Sequence, residues 1–149
     1  ERIISGGKVG QVDLVYSAPR GPWYAASWKG DEKRSGGILS NIGIHMFDML
    51  EWLFGPVVDG AIDRIRDNEA SGYQAHRRCT GVHWSLTTNE TRPPCRALTI
   101  EGMGTFDLSD GFADAHTRVY EGTLAGRGFG INDARPAIEW VHHLRGEAK

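Results

Sequence analysis

The chain has 149 residues, of which 40% are hydrophobic and 24% are charged, and its formal net charge at pH 7 is −2. This balance is typical of one globular domain, residues 1–149, that buries a core of its own. It excludes the strongly basic surface with which proteins bind nucleic acid or an anionic membrane. No apolar run has the length of a membrane-spanning helix, and residues 1–4 are not a signal peptide. We therefore expect a cytoplasmic protein.

The predicted elements follow one another as a strand, a long helix, a run of consecutive strands and two further helices. Because the strands are consecutive and the helices are segregated from them, we expect an α+β fold with a largely antiparallel sheet. Residues 18–23 are predicted as a loop, and residues 31–34 are a charged run. The last helix is predicted to have Asp133 as its N-cap. The predicted strands are residues 11–17, 57–66, 70–78, 80–88, 96–101 and 105–108, and the predicted helices are residues 36–55, 113–124 and 133–144.

The long helix, residues 36–55, combines a dense apolar stripe with one polar face. Asn41, His45 and Asp48 are spaced i, i+4 and i+7, so that they share this face. Gly43 within the helix indicates that another part of the chain approaches its backbone closely. On spacing alone, His45 is either a functional residue or a hydrogen-bonded histidine of the core.

An aromatic and polar segment, residues 23–30, precedes this helix. Trp28 and Lys29 belong to it, and Trp and Tyr offer flat apolar faces with one polar group. The segment is either the edge of the core with a solvated loop, or the wall and rim of a pocket. His116 follows a turn-rich acidic stretch, and on position alone it is a histidine near the start of a helix.

Several common sites are not indicated by the sequence. Cys79 and Cys95 are too far apart in sequence for a CxxC pair. They could form one disulfide, but we expect two free thiols, as in a cytosolic protein. No metal site is expected, because the histidines outside the long helix lack ligand spacing. No GxGxxG loop follows a predicted strand, so we expect no dinucleotide site in this chain.

Residues 36–55, GGILSNIGIHMFDMLEWLFG, resemble the active-site helix in the C-terminal domain of the Gfo/Idh/MocA oxidoreductases. The resemblance extends over nearly the whole chain, and its most specific pieces are Ser27-Trp28-Lys29-Gly30 and Asn41-Ile42-Gly43-Ile44-His45. Asn41 stands where the family at large often has Asp, which points to the members that oxidise a UDP-linked N-acetylglucosaminuronate. Further matching segments are Ser71-Gly72-Tyr73, Asp110-Gly111-Phe112 with Asp114 and His116, Gly128-Phe129-Gly130, and Asp133-Ala134-Arg135-Pro136.

The resemblance implies a domain of a two-domain enzyme, in which an N-terminal Rossmann domain binds NAD and this domain supplies the substrate site. The implied reaction oxidises the sugar 3-hydroxyl of the UDP-linked uronate, for cell-surface polysaccharide synthesis. His45 matches the catalytic histidine of the family, and imidazole is suited to accept a proton near neutral pH. Asn41 is expected to fix the sugar, and Lys29 to pair with the carboxylate or the pyrophosphate. Trp28 and His116 are the remaining expected substrate-binding residues.

The family's Glu-Lys-Pro motif, whose lysine takes part in catalysis, has no counterpart in these 149 residues. We therefore expect the isolated chain not to turn over and to bind no NAD. A homo-oligomer that forms through the sheet is expected, because the family's sheet commonly packs against a partner subunit. Two alternatives stay open at this point: a sugar-binding module without catalysis, and a purely structural dimerisation domain.

Overall fold

The structure is a computed structural model, and it describes residues 7–66, 68–110 and 114–147. Within these ranges a six-stranded sheet carries two long helices on one of its faces. A short π-helical segment, Leu39–Gly43, runs directly into the first long helix. The strands are β1 Val9–Ser17, β2 Val57–Arg66, β3 Glu69–His76, β4 Cys79–Thr87, β5 Cys95–Ile100 and β6 Gly104–Asp107, and the helices are α1 Pro22–Ala26, α2 Glu32–Ser35, α3 Ile44–Phe54, α4 Ala115–Leu124 and α5 Ile131–Glu147.

The sheet has the strand order β2-β3-β4-β1-β5-β6. Four of its five strand pairs are antiparallel, which confirms the predicted α+β fold with a largely antiparallel sheet. The exception is the central pair, in which β1 and β4 run parallel, with Leu14 opposite Trp84. Parallel strands need a long crossover connection, and here the helices α1, α2 and α3 and the β2–β3 hairpin lie between the two strands in the chain.

The two faces of the sheet differ in what they contact. Along β4, Val82, Trp84 and Leu86 are buried, whereas His83 and Ser85 between them are exposed. Helix α3 packs on the buried face, and its Phe47 ring meets the Trp84 ring edge-on at 5.2 Å. The other face is not covered by a helix within the described ranges, and small and polar side chains dominate it. We call it the open face.

A buried chain of hydrogen bonds ties α5 to the sheet. Trp140 Nε1 donates to Gln74 Oε1 at 2.8 Å, and Gln74 Nε2 lies 2.8 Å from His76 Nε2. His76 Nδ1 lies 2.6 Å from the carbonyl oxygen of Gly55, at the end of α3. These contacts assign a neutral His76 that donates through Nδ1 and accepts at Nε2. Burial lowers the pKa of His76, which agrees with a neutral ring.

The structure corrects several element boundaries. Helix α5 begins at Ile131, so Asp133 lies in its first turn and is not its N-cap. Its carboxylate accepts a hydrogen bond from the backbone N–H of Gly130 at 2.7 Å, as the side chain at position N3 of a capping box does. Helices α1 and α2 were not predicted, and α1 overlaps the predicted loop, residues 18–23. Ala113, the predicted start of α4, lies outside the described residues, as do Gly111 and Phe112.

Candidate active site

The helix that carries Asn41 and His45 changes its hydrogen-bonding pattern between these two residues. The backbone N–H of Ile44 donates to the carbonyl of Leu39, five residues back, so that the segment Leu39–Gly43 is π-helical. Such segments are uncommon and frequently occur at functional sites. A Cβ atom at Gly43 would lie 2.9 Å from Phe47 and 3.3 Å from Leu86. The glycine therefore allows the helix to approach β4 closely, as the sequence indicated.

His45 lies on the solvent side of α3. Its side chain is exposed, whereas the next two residues, Met46 and Phe47, are buried in the core. This exposure excludes the interpretation of His45 as a core histidine. The imidazole can therefore be reached by a second molecule or by another domain.

The aromatic segment before the helix contacts Asn41 directly. Asn41 Nδ2 donates to the carbonyl oxygen of Lys29 at 3.4 Å. The Lys29 ammonium lies 5.8 Å from the centroid of the Trp28 ring, within the range of a cation–π interaction. Trp28 is 50% exposed. The structure thus brings three of the predicted site residues, Trp28, Lys29 and Asn41, into one cluster, with His45 one turn further along the helix.

A concavity of about 660 Å³ opens beside His45, between α3 and the start of α5. His45, Asp48 and Glu51 supply its polar groups on the α3 side. Trp52 and Phe129 form apolar walls, and they are 72% and 81% exposed. Apolar walls with a few polar groups are typical of ligand sites and of surfaces that another domain covers.

Glu51 is a lining residue of this concavity with a displaced pKa. Burial, and in addition the negative charges of Asp48 and Glu139, together raise this pKa to about 7. Glu51 is therefore only partly ionised at neutral pH. This shift could not be predicted from the sequence, because it depends on the burial of the carboxyl and on Glu139 of α5, which is distant in sequence and close in space.

The other predicted residues are less closely connected to the cluster. His116 lies exposed in the first turn of α4, and within the described ranges no hydrogen bond or ring contact joins it to Asn41 or His45. Asp48 lines the same concavity as His45, but no hydrogen bond between the two side chains is present there. Sequence reasoning did not single out Glu51 and Trp52 as site residues. Phe129 was named only within a matching segment.

Other kinds of site find little support in the described part of the chain. No three His, Cys, Asp or Glu side chains come together there in a way that could hold a metal ion. None of the described helices has the length and apolarity needed to span a bilayer. The parallel pair β1 and β4 lacks the glycine-rich strand–turn–helix unit that holds a dinucleotide, so these residues do not fit NAD as its binding site. Cys79 and Cys95 are free thiols, as expected.

Comparison with known proteins gives a consistent result. Residues 1–92 match the family model described as "Oxidoreductase family, C-terminal alpha/beta domain", which is the Gfo/Idh/MocA family. A WlbA (WbpB) dehydrogenase from Thermus thermophilus, solved with NAD and alpha-ketoglutarate, is 38% identical and superimposes with a TM-score of 0.85. The same dehydrogenase in complex with NAD and UDP-GlcNAcA gives 36% identity and a TM-score of 0.83.

These two matches cover 95% of the present chain and 48% of the Thermus thermophilus chain. The present chain thus spans about half the length of these solved relatives. The WlbA dehydrogenase from Bordetella pertussis, in complex with NADH and UDP-GlcNAcA, is 16% identical with a TM-score of 0.72, and shares the fold. That match covers 95% of this chain and 54% of the other.

Proposed function

This chain belongs to the Gfo/Idh/MocA oxidoreductase family as its C-terminal α/β domain, and we propose that it is the substrate and catalytic-base domain of an NAD-dependent nucleotide-sugar dehydrogenase. The proposed reaction is oxidation of the 3-hydroxyl of a UDP-linked N-acetylglucosaminuronate, for cell-surface polysaccharide synthesis. The observation that carries the proposal is the exposed His45, one turn after Asn41, on a helix whose opposite side is core. The Thermus thermophilus relative binds UDP-GlcNAcA, which supports this choice of substrate.

In the proposed mechanism His45 accepts the proton that the sugar hydroxyl loses as it becomes a ketone. Imidazole changes its charge between pH 5 and 8, so it can take up a proton at neutral pH. Asn41 directs one amide N–H to the Lys29 carbonyl, and its other polar atoms remain for the sugar. Because this bond holds the amide in place, Asn41 can fix the sugar relative to His45. His116 is proposed as a further substrate contact on the family resemblance.

Lys29 is proposed to pair with the uronate carboxylate or the pyrophosphate. Its ammonium is exposed and lies beside the Trp28 ring, which leaves its donors free to meet an anion. Trp28 supplies a flat apolar surface at the same place, suited to pack against a sugar ring.

NAD, when bound by the parent enzyme, supplies the acceptor for the hydride. Since the described residues do not fit a dinucleotide, we place the cofactor on a preceding Rossmann domain and expect the 149-residue chain to be inactive alone. We also propose a homo-oligomer that covers the open face of the sheet. We propose a cytoplasmic location, which the free thiols of Cys79 and Cys95 support because thiols stay reduced in that compartment.

The substrate assignment is tested with Lys29→Glu in the full-length dehydrogenase. We expect this change to weaken the binding of UDP-GlcNAcA far more than that of the neutral UDP-GlcNAc, because only the first carries the carboxylate. Lys33→Glu in α2 is the matched control, since Lys33 is also exposed and has no bond to Asn41. Calorimetric titration measures both affinities. Equal losses for the two sugars would show that Lys29 does not recognise the carboxylate.

A further inference from the structure

A second concavity, of about 540 Å³, lies beyond the ends of β1 and β4 and shares no lining residue with the one beside His45. It is formed by the start of α1, the end of β2 with the β2–β3 turn, and the segment that follows β4. We call it the arginine groove. Its lining includes Arg20, Tyr24, Arg64, Arg66, Thr88 and Glu90.

Two buried polar atoms in this groove have no partner among the described residues. They are the hydroxyl oxygen of Thr88 and Nε of Arg20. Thr88 is only 3% exposed, and its hydroxyl has no hydrogen-bond partner among the described residues. A buried polar group without a partner costs about 1–3 kcal/mol, and such groups are rare in native structures. Two in one groove therefore indicate that something outside the described residues normally bonds to them.

Backbone hydrogen bonds place residues 20 and 88 side by side at the rim of the groove. The N–H of Arg20 donates to the carbonyl of Thr88 at 3.1 Å, and the N–H of Thr88 donates to the carbonyl of Asn68 at 3.0 Å. Burial raises the pKa of the Tyr24 hydroxyl, and the nearby Arg20 guanidinium opposes that rise. Arg20 and Tyr24 therefore lie close together in the lining of the groove.

The charges of the groove favour an anion. Arg20, Arg64 and Arg66 line it, together with Glu69 and Glu90. The Glu69 carboxylate is already engaged, because it accepts hydrogen bonds from Arg92 at 3.5 Å and from Thr87 at 3.2 Å. A guanidinium and a hydroxyl are both donors, and the planar guanidinium matches the oxygens of a phosphate.

We propose that the arginine groove binds a phosphate group, held by the guanidinium groups of Arg20 and Arg64 and by the Thr88 hydroxyl once that side chain turns into the groove. The group is either a free phosphate or the diphosphate of a nucleotide sugar whose sugar lies at His45. The second source rests on the proposed function, whereas the first does not. The groove binds the phosphate group, and no chemical step is assigned to it.

The test is calorimetric titration of the 149-residue chain with inorganic pyrophosphate. We expect binding in the millimolar range or tighter, and a loss of about tenfold or more for Arg20→Gln and for Thr88→Val, since each removes a bond to a charged ligand. Arg64→Gln is an additional variant at an exposed position, where a change of side chain leaves the fold intact. Arg118→Gln, on exposed α4, is the control and should bind as the unchanged chain does. Melting temperatures of all variants verify their folding.

The absence of pyrophosphate binding by the unchanged chain would overturn the proposal. So would unchanged affinity in both folded Arg20→Gln and Arg64→Gln. A competition arm with the full-length dehydrogenase identifies the source: displacement of pyrophosphate by UDP-GlcNAcA assigns the nucleotide diphosphate, and simultaneous binding assigns a free phosphate. Either result of this arm supports a phosphate site. The calorimetric arm needs no dehydrogenase activity, so its failure is distinct from a failure of the proposed function.

Discussion

Glu51 makes the folded chain less stable as the pH rises, and replacing it should reverse this effect. Its pKa is raised to about 7 by burial first, and by the charges of Asp48 and Glu139 in addition. In the unfolded chain the same carboxyl titrates near its ordinary value of 4.5. Between these two pH values the folded chain holds the carboxyl proton more tightly than the unfolded chain does. The contribution of Glu51 to stability is therefore full below pH 4.5 and is lost as the pH rises to about 7.

The size of the effect follows from the two pKa values. At about 1.4 kcal/mol per pH unit, the interval from 4.5 to about 7 sets an upper limit of about 3–4 kcal/mol. Glu51 is only half-buried, so solvent screens its charge, and we expect about 1–2 kcal/mol. Glu51→Gln keeps the shape of the side chain and removes the charge. It should raise the free energy of unfolding by this amount at pH 8, relative to its effect at pH 4.5.

Urea denaturation of both chains at the two pH values measures this difference. Glu121→Gln serves as the control, because Glu121 is exposed on α4 and should change stability equally at both pH values. If Glu51→Gln changed stability by the same amount at pH 4.5 and pH 8, the assignment of a half-buried, partly protonated carboxyl in the concavity that His45 lines would be refuted.

Two further predictions concern packing. Gly43→Ala should lower the free energy of unfolding by about 1–3 kcal/mol, because the new Cβ would lie 2.9 Å from Phe47 and 3.3 Å from Leu86. The control Gly122→Ala in α4 should be neutral or stabilising, because its Cβ would meet only an oxygen at 3.7 Å. If urea denaturation showed no loss of stability for Gly43→Ala, this would argue against the close approach of helix and sheet. The chain should also form oligomers through the open face. Val15→Arg on that face should disrupt the oligomers, whereas the control Val119→Arg on α4 should leave them intact. A monomeric mass of the unchanged chain by light scattering at all concentrations would contradict this prediction.

Local patterns in the sequence were sufficient to predict much of the sheet and the central helix. The strand β2 has the predicted bounds, residues 57–66, and the other strands differ from their predicted bounds by at most two residues at either end. The apolar stripe placed Met46 and Leu50 in the core and left His45 on the polar side. These features depend on neighbours within a few residues of each other, which is what periodicity records.

Features that join distant parts of the chain could not be predicted in this way. The parallel pairing of β1 with β4 joins residues about seventy positions apart, and no turn signal marks it. The bond from Trp140 to Gln74 and the effect of Glu139 on Glu51 likewise depend on where α5 docks. Arg20 and Thr88, which both carry an unpartnered group, become neighbours only because β1 and β4 end side by side.

The most direct test of the proposed function is His45→Gln in the full-length dehydrogenase, with turnover and melting temperature measured on one sample. Because His45 is exposed, the variant should keep its melting temperature and its affinity for UDP-GlcNAcA. Oxidation should slow by about 10²–10⁴-fold, the usual effect of losing a positioned base. Normal turnover per folded molecule would contradict the assignment of His45 as the catalytic base.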